Sequence, residues 1–147
     1  MRYWLMKSEP TEYSIDDLER DGVSSWFGVR NYQARNFMTK EMSVGDRVLF
    51  YHSNCKIPGV AGIAQVATAA APDETQFSSG KYFEPRATKG KPVWFCVDVG
   101  FVRKFDETYS LQEIRDNPKL SAMKMLQKGS RLSITPVTRE EFEEIVG

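Results

Sequence analysis

The residues best suited to ligand binding lie in one short segment, residues 26–37, which mixes aromatic rings, guanidinium groups and carboxamides. This mixture suits a planar polar ligand. A nucleobase offers a ring face to an indole, a hydrogen-bonding edge to Asn or Gln, and a nearby phosphate to Arg. Read alone, the segment is equally consistent with a loop Trp that covers the core beside an amphipathic helix. Other segments must decide between a binding site and packing.

Residues for the common kinds of catalysis are scarce. The sequence has no phosphate-binding glycine loop, no dinucleotide-binding glycine motif and no histidine pair at helical spacing. His52 is the only imidazole, and Ser53 beside it would point to the opposite side of a strand. Cys55 follows His52 at a spacing that metal sites use, but two cysteines and one histidine cannot complete a four-ligand zinc site without carboxylates. We therefore expect no enzyme activity, no cofactor and no obligate metal.

Length and composition are those of one small globular domain. The chain has 147 residues, of which 41% are hydrophobic and 12% aromatic, enough for a core without disulfides. No apolar run approaches the roughly 20 residues that span a bilayer, and no signal-peptide pattern opens the chain. We expect a single domain over residues 1–147 that is cytoplasmic, monomeric and without a membrane partner.

Positive and negative charges balance, with 20 Lys plus Arg and 20 Asp plus Glu. The protein is therefore not a polycation that coats DNA, and phosphate contacts must come from locally segregated charge. Acidic residues crowd the two ends of the chain, whereas basic residues form three groups between them. Most such runs are ordinary solvated surface, so the charge pattern does not by itself identify a site.

Local sequence signals predict the helix starts. A Ser or Thr followed three positions later by an acidic residue is typical of a capping box. This pattern predicts helices at residues 15–20, from residue 111 to the Asn117-Pro118 break, and at the C-terminus, while Asn31 predicts the start of a helix that runs to residue 41. The capping pairs are Ser14 with Asp17, Ser110 with Glu113, and Thr138 with Glu141.

Runs of β-branched and aromatic residues predict about five strands, at residues 3–6, 47–53, 59–67, 93–102 and 132–135. The small residues of the third run indicate a sharp bend or a close backbone approach, as in small barrels. Strands and helices do not alternate regularly, which excludes a doubly wound parallel sheet. The prediction is an α+β fold: a small, partly open mixed β-barrel of about five to six strands with short helices inserted around it.

Taken together and in order, five segments resemble the EVE domain family. They are residues 3–10, 26–36, 50–54, 58–64 and 129–134, which span essentially the whole chain. The resemblance implies a pseudouridine-synthase-and-archaeosine-transglycosylase-like (PUA-like) barrel with a base-binding pocket. It also implies a reader of modified bases, notably methylated or hydroxymethylated cytosine in DNA, that flips the nucleotide out of the stack. The expected partner is therefore nucleic acid.

The resemblance further implies roles for individual residues. Trp26 would form the stacking wall, and the strand-end residues Lys7, Ser8 and Glu9 would hydrogen-bond the base edge or the nearby backbone. Val29 belongs to the same motif, although its side chain is expected to pack rather than to touch the base. The implied nucleobase pocket consists of Lys7, Ser8, Glu9, Trp26, Val29, Asn31, Tyr51, His52, Ser53 and Asn54. The implied phosphate-binding residues are Arg30, Arg35 and Arg131.

Two alternatives remain open at the level of sequence. PUA-like and YTH relatives act on RNA, so one alternative is a binding module for modified RNA. The other is a metal-independent nuclease similar to some ASCH relatives, in which Lys7, Tyr51 or His52 would serve as acid and base. A non-catalytic reader of modified DNA is favoured because the sequence lacks a catalytic constellation.

Overall fold

The computed structural model describes all 147 residues, which form eight strands and four α-helices. The strands are β1 (Tyr3–Ser8), β2 (Val23–Ser25), β3 (Arg47–His52), β4 (Gly59–Val66), β5 (Ala71–Pro72), β6 (Phe95–Cys96), β7 (Asp98–Ser110) and β8 (Ile134–Val137). The helices are α1 (Ile15–Asp21), α2 (Tyr32–Asn36), α3 (Leu111–Asp116) and α4 (Arg139–Val146). A π-helical turn (Phe37–Glu41) extends α2, and three short 3₁₀ turns lie at Glu74–Phe77, Pro118–Leu120 and Lys124–Leu126.

Six of the strands form one sheet in the order β2-β7-β4-β3-β1-β8. β1 pairs with β3 in parallel, and the other neighbours are antiparallel, so the sheet is mixed. Register shifts interrupt the pairing of β4 with both of its neighbours, and such bulges bend and twist a sheet. The sheet curls into a half-barrel with β2 and β8 at its two edges. The predicted α+β fold with a partly open mixed barrel is confirmed.

β4 and β7 approach each other closely where β4 carries glycine. A Cβ atom on Gly62 would overlap the carbonyl oxygen of Arg103, and one on Gly59 would overlap that of Tyr109. Gly59 and Gly62 are both buried. The prediction that small residues in this strand mark a close backbone approach is therefore confirmed.

The predicted helix starts are confirmed by the hydrogen bonds of the caps. All three capping boxes are present, with the Ser or Thr hydroxyl accepting from a backbone amide and the acidic side chain accepting from the backbone of the capping residue. The Asn31 side chain caps α2 by accepting from the amide of Ala34. None of the helices combines the length and the apolar character needed to cross a membrane.

The largest differences from the predicted strands lie in the second half of the chain. The strand predicted at residues 93–102 is divided into β6 and β7, and β7 continues to Ser110 through mostly polar residues, none of which is buried. The last strand begins at Ile134 rather than residue 132 and includes Pro136. β8 is an edge strand, where a proline without an amide proton is tolerated.

Side chains of β1 and β3 alternate between two hydrophobic clusters on opposite faces of the sheet. We call the cluster that contains Trp4 the first cluster and the cluster that contains Leu5 the second cluster. In β1, Trp4 and Met6 pack in the first cluster while Leu5 packs in the second. In β3, Phe50 belongs to the first cluster and Tyr51 to the second. Because strand side chains alternate with period two, the two clusters fix the orientation of every residue up to the ends of these strands.

Candidate functional site

The carboxyl ends of β1 and β3 open into a polar cleft of about 470 Å³. Because the two strands are parallel neighbours, the residues that end them lie side by side. Only four of the fourteen lining residues are hydrophobic, and all four carry aromatic rings. The cleft is lined by Lys7, Ser8, Glu9, Glu12, Tyr13, Ser24, Ser25, Trp26, Phe27, Ser53, Asn54, Tyr82, Arg131 and Ser133.

Hydrogen bonds fix the floor of the cleft at the end of β1. The Lys7 amide donates to the carbonyl oxygen of Ser133 at 2.8 Å, which ties β1 to the segment before β8. The Ser8 hydroxyl donates to the carbonyl oxygen of Tyr13 at 2.6 Å. The Ser8 carbonyl oxygen in turn accepts from the Ser53 amide at 2.9 Å, which joins the ends of the two parallel strands. The backbone of the cleft floor is thus held before any ligand is present.

Glu9 and Asn54 form a hydrogen-bonded pair across the cleft. The Asn54 side-chain amide donates to Glu9 Oε1. Asn54 has a left-handed backbone conformation (φ +54°), one that asparagine adopts more readily than most residues. The pair presents one carboxylate with free acceptor capacity and one carboxamide, which can accept and donate hydrogen bonds at the edge of a planar ligand.

Lys7 contributes a half-buried cation to the cleft. Its Nζ atom lies 5.7 Å from the centre of the Tyr51 ring. Burial lowers the pKa of the Lys7 ammonium group, and no neighbouring carboxylate contributes to the shift. An ammonium group without a charged partner in the protein is suited to bind an anionic or carbonyl oxygen of a ligand.

Trp26 forms a fixed wall of the cleft. Its ring packs edge-on against Phe50 in the core, with ring centres 5.5 Å apart and an interplanar angle of 82°. Its backbone amide donates to the carbonyl oxygen of Val97 at 2.9 Å. The indole is therefore positioned by the core on one side and leaves its other surface to the cleft.

The structure brings most of the expected site residues together and separates the others. Lys7, Ser8, Glu9, Trp26, Ser53, Asn54 and Arg131 line the cleft. Four other expected pocket residues lie elsewhere. Val29 is buried in the first cluster, Asn31 caps α2, and Tyr51 is buried in the second cluster, where burial raises the pKa of its hydroxyl.

His52, the fourth of these residues, supports the fold at the start of α1. Its Nε2 atom accepts a hydrogen bond from the Ile15 amide at 3.1 Å, which requires a neutral ring with the proton on Nδ1. Burial lowers the pKa of His52, and the nearby carboxylate of Asp16 opposes this effect only in part. His52 and Tyr51 point to opposite faces of β3 and do not meet.

Arg30 and Arg35 are engaged within the protein rather than turned to the cleft. Arg30 pairs with the fully buried carboxylate of Asp73 at 3.1 Å and donates to the carbonyl oxygen of Tyr82 at 2.8 Å. Arg35 donates to the carbonyl oxygen of Val93 at 3.0 Å. Arg30 thus ties the irregular segment 73–94 to the loop before α2, and Arg35 ties the same segment to α2 itself. Arg131, which is exposed at the cleft, is thus the remaining arginine of the expected phosphate-binding set.

Several residues of the cleft were not expected from the sequence. Ser24 and Ser25 lie on β2, a strand of three residues that is too short to give a clear pattern. Tyr82 lies in the irregular segment, whose position depends on long-range contacts with Arg30. Phe27 lies next to Trp26 within residues 26–37 but was not among the expected pocket residues.

Comparison with known proteins gives matches along the whole chain. The EVE domain family model matches residues 2–147. Thymocyte nuclear protein 1 of mouse is 39% identical over 164 aligned residues, which cover 98% of this chain and 72% of the mouse protein. The structure of human THYN1 protein in complex with 5-methylcytosine-containing DNA is similar with a TM-score of 0.91 and 38% identity, covering 99% of this chain and 96% of that chain. The structure of a hypothetical protein from Leishmania major is similar with a TM-score of 0.94 and 48% identity, covering 99% of this chain and 92% of that chain.

The names of these relatives overturn the predicted cytoplasmic location. The mouse and human relatives are named as nuclear proteins. The prediction was wrong because its arguments, a missing signal-peptide pattern and a neutral net charge, do not distinguish cytoplasm from nucleus.

Proposed function

This chain belongs to the EVE domain family, and from that premise we propose that it is a non-catalytic module that binds DNA containing a modified cytosine. The observation that carries the proposal is its similarity, over almost its full length, to a human protein whose structure holds 5-methylcytosine-containing DNA. The cleft at the ends of β1 and β3 is the proposed base-binding site. Its polar floor and aromatic wall support this assignment.

The energetics of binding favour a site with both stacking and polar contacts. Extruding a base from a duplex costs a few kcal/mol. Stacking on one aromatic side chain returns about 1–3 kcal/mol, so stacking on Trp26 offsets most of this cost and edge contacts must supply the rest. Cytosine presents an exocyclic amino donor beside acceptor atoms, which matches the carboxylate of Glu9 and the ammonium group of Lys7.

Nuclease chemistry receives little support from the arrangement of its candidate residues. His52 already accepts a hydrogen bond from the Ile15 amide, and Tyr51 is buried on the opposite face of β3. Lys7 alone reaches the cleft. We therefore assign Lys7 to ligand binding and propose no acid or base role for the other two residues.

The first prediction concerns Trp26. Trp26→Ala should weaken binding to a 5-methylcytosine strand by roughly 5- to 150-fold, the equivalent of one stacked base, and remove the preference over unmodified cytosine. The measurement is fluorescence anisotropy with strands that carry cytosine, 5-methylcytosine or 5-hydroxymethylcytosine, single- and double-stranded, at two salt concentrations.

Trp26→Phe serves as the second variant, because the Trp26 ring also packs against Phe50 and its loss can destabilise the fold. This variant keeps an aromatic ring and should retain part of the preference. Thermal unfolding of each variant shows whether the fold is intact. Equal affinity of the wild type for all three bases would refute the proposal, and tighter binding of a matched RNA strand would replace DNA by RNA as the ligand.

A second prediction separates phosphate binding from base reading. Arg131→Gln should weaken binding to modified and unmodified strands by the same factor. It should also reduce the slope of the logarithm of the binding constant against the logarithm of the salt concentration by about 0.7–0.9. Arg139→Gln is the matched control, since Arg139 is also exposed but follows the far end of β8. An unchanged salt slope in Arg131→Gln would contradict the assignment.

A further inference from the structure

Phe27 is an exposed aromatic residue at the entrance of the cleft. Its side chain is 53% exposed, and its ring meets the Tyr82 ring edge-on with centres 5.9 Å apart. Both residues line the cleft together with Trp26. A single exposed hydrophobic residue is common on protein surfaces, so exposure alone indicates no function. The way in which Phe27 is held is more informative.

The backbone on both sides of Phe27 is anchored to the body of the protein. The preceding amide, of Trp26, donates to the carbonyl oxygen of Val97 at 2.9 Å, and the following amide, of Gly28, donates to buried Asp73 at 2.8 Å. Gly28 adopts φ +85°, and a Cβ atom there would lie 2.9 Å from the Tyr82 ring. This conformation and this contact require glycine. Phe27 is thus presented to solvent from a fixed backbone.

Two cations lie close to the Tyr82 ring. The Arg30 guanidinium lies 5.3 Å from the centre of its ring and also donates to its carbonyl oxygen. Lys81 Nζ lies 5.3 Å from the same ring and 3.7 Å from Glu12 at the cleft wall. Phe27 and Tyr82 together form what we call the aromatic ledge, a preformed apolar surface beside two cations that are each paired with a carboxylate. Exposed aromatic side chains on which successive bases stack are typical of proteins that bind single-stranded nucleic acid.

Resting on the proposed function, we propose that the aromatic ledge stacks against the nucleobase next to the one held by Trp26, so that the protein binds two consecutive nucleotides. Trp26 and Phe27 are consecutive residues that both line the cleft. Trp26 turns towards the core and Phe27 towards solvent. Removal of one base from the stack exposes a face of its neighbour, and Phe27 covers that face.

The test is a double-mutant cycle between Phe27 and the neighbouring base. Wild type and Phe27→Leu are titrated with 5-methylcytosine single strands in which the base on the 5′ or the 3′ side is present or replaced by an abasic site. In the wild type, one of the two abasic strands should bind about 10-fold more weakly than the intact strand. Phe27→Leu should bind the intact strand about 10-fold more weakly than the wild type does. It should bind the abasic strand with the same affinity as the intact strand.

Phe83→Leu is the matched control, because Phe83 is 50% exposed but does not line the cleft. It should bind all strands as the wild type does. If Phe27→Leu matches the wild type on the intact strand, or if the abasic strand loses as much affinity with Phe27→Leu as with the wild type, the ledge does not stack on the neighbouring base. The preference for 5-methylcytosine, measured in the same titrations, decides the proposed function separately.

Discussion

Replacing Asp73 with asparagine is expected to lower the free energy of unfolding by about 3–5 kcal/mol, the range found when one partner of a buried ion pair is removed. The Asp73 carboxylate is fully buried. Its Oδ2 atom accepts from the Gly28 amide at 2.8 Å and from Arg30 at 3.1 Å, and its Oδ1 atom accepts from the amide and hydroxyl of Thr75. An asparagine amino group would face backbone N–H donors in either orientation, and Arg30 would lose its counter-charge.

Urea unfolding, followed by tryptophan fluorescence, measures this loss, with Glu74→Gln as the control. Glu74 is the next residue in the chain and is exposed, so Glu74→Gln should change the free energy of unfolding by no more than about 0.5 kcal/mol. A loss of less than 1 kcal/mol in Asp73→Asn would show that the pair is dispensable. Because Asp73 holds both Gly28 and the segment that carries Tyr82, the variant should also bind nucleic acid more weakly.

The same carboxylate should make stability depend on pH in the acid range. Burial raises the pKa of Asp73, but hydrogen bonds from Thr75, Gly28 and Arg30 outweigh burial and bring the pKa below its ordinary value. Because the pKa of Asp73 is lower in the folded than in the unfolded state, its ionised carboxylate contributes fully to the stability of the fold above about pH 4. This contribution is lost as the pH falls further. Asp73→Asn should therefore lack this part of the wild-type acid sensitivity.

Gly62→Ala is expected to destabilise the fold by about 3 kcal/mol or more, at the upper end of the range for overpacked interiors. The added methyl group would overlap the carbonyl oxygen of Arg103 and lie 2.9 Å from the Ile15 side chain. Ile15 can rotate away, but the Arg103 carbonyl belongs to the backbone of β7. Relief of the overlap therefore requires β4 and β7 to separate.

Gly100→Ala provides a matched control on the opposing strand. A Cβ atom at Gly100 would lie 3.8 Å from its nearest neighbour, the Gln65 side chain, which is an ordinary contact. This variant should change stability by less than about 1 kcal/mol, with a gain possible because glycine is unfavourable within a strand. Similar urea midpoints for the two variants would contradict the close approach of β4 and β7 at Gly62.

Local signals predicted much of the fold. Capping boxes involve residues only three positions apart, so the starts of α1, α3 and α4 could be read directly from sequence. The strands around Phe50 and Ile63 were predicted almost to their ends because continuous apolar runs are buried on both faces of the sheet. The second half of β7 could not be predicted, since its exposed polar residues are held in a strand by pairing with β4.

The candidate site was predictable where it follows strand ends. Lys7 to Glu9 and Ser53 to Asn54 lie together because β1 and β3 are parallel neighbours in matched register. Tyr51 and His52 were included with them, but strand alternation and the Ile15 contact direct their side chains elsewhere. Arg30 was expected to be free for phosphate. Its ion pair spans 43 positions of the chain, and no local pattern reveals such a contact.

The incomplete closure of the barrel has a consequence for how the cleft can be altered. The two edge strands both reach the cleft, β2 through Ser24 and Ser25 and β8 through the preceding Ser133. Joining these edges would satisfy their unpaired backbone groups and complete the cylinder, but the new pairing would occupy the space between them. A variant that paired β2 with β8 would therefore gain backbone hydrogen bonds in the sheet and lose the opening of the proposed base-binding cleft.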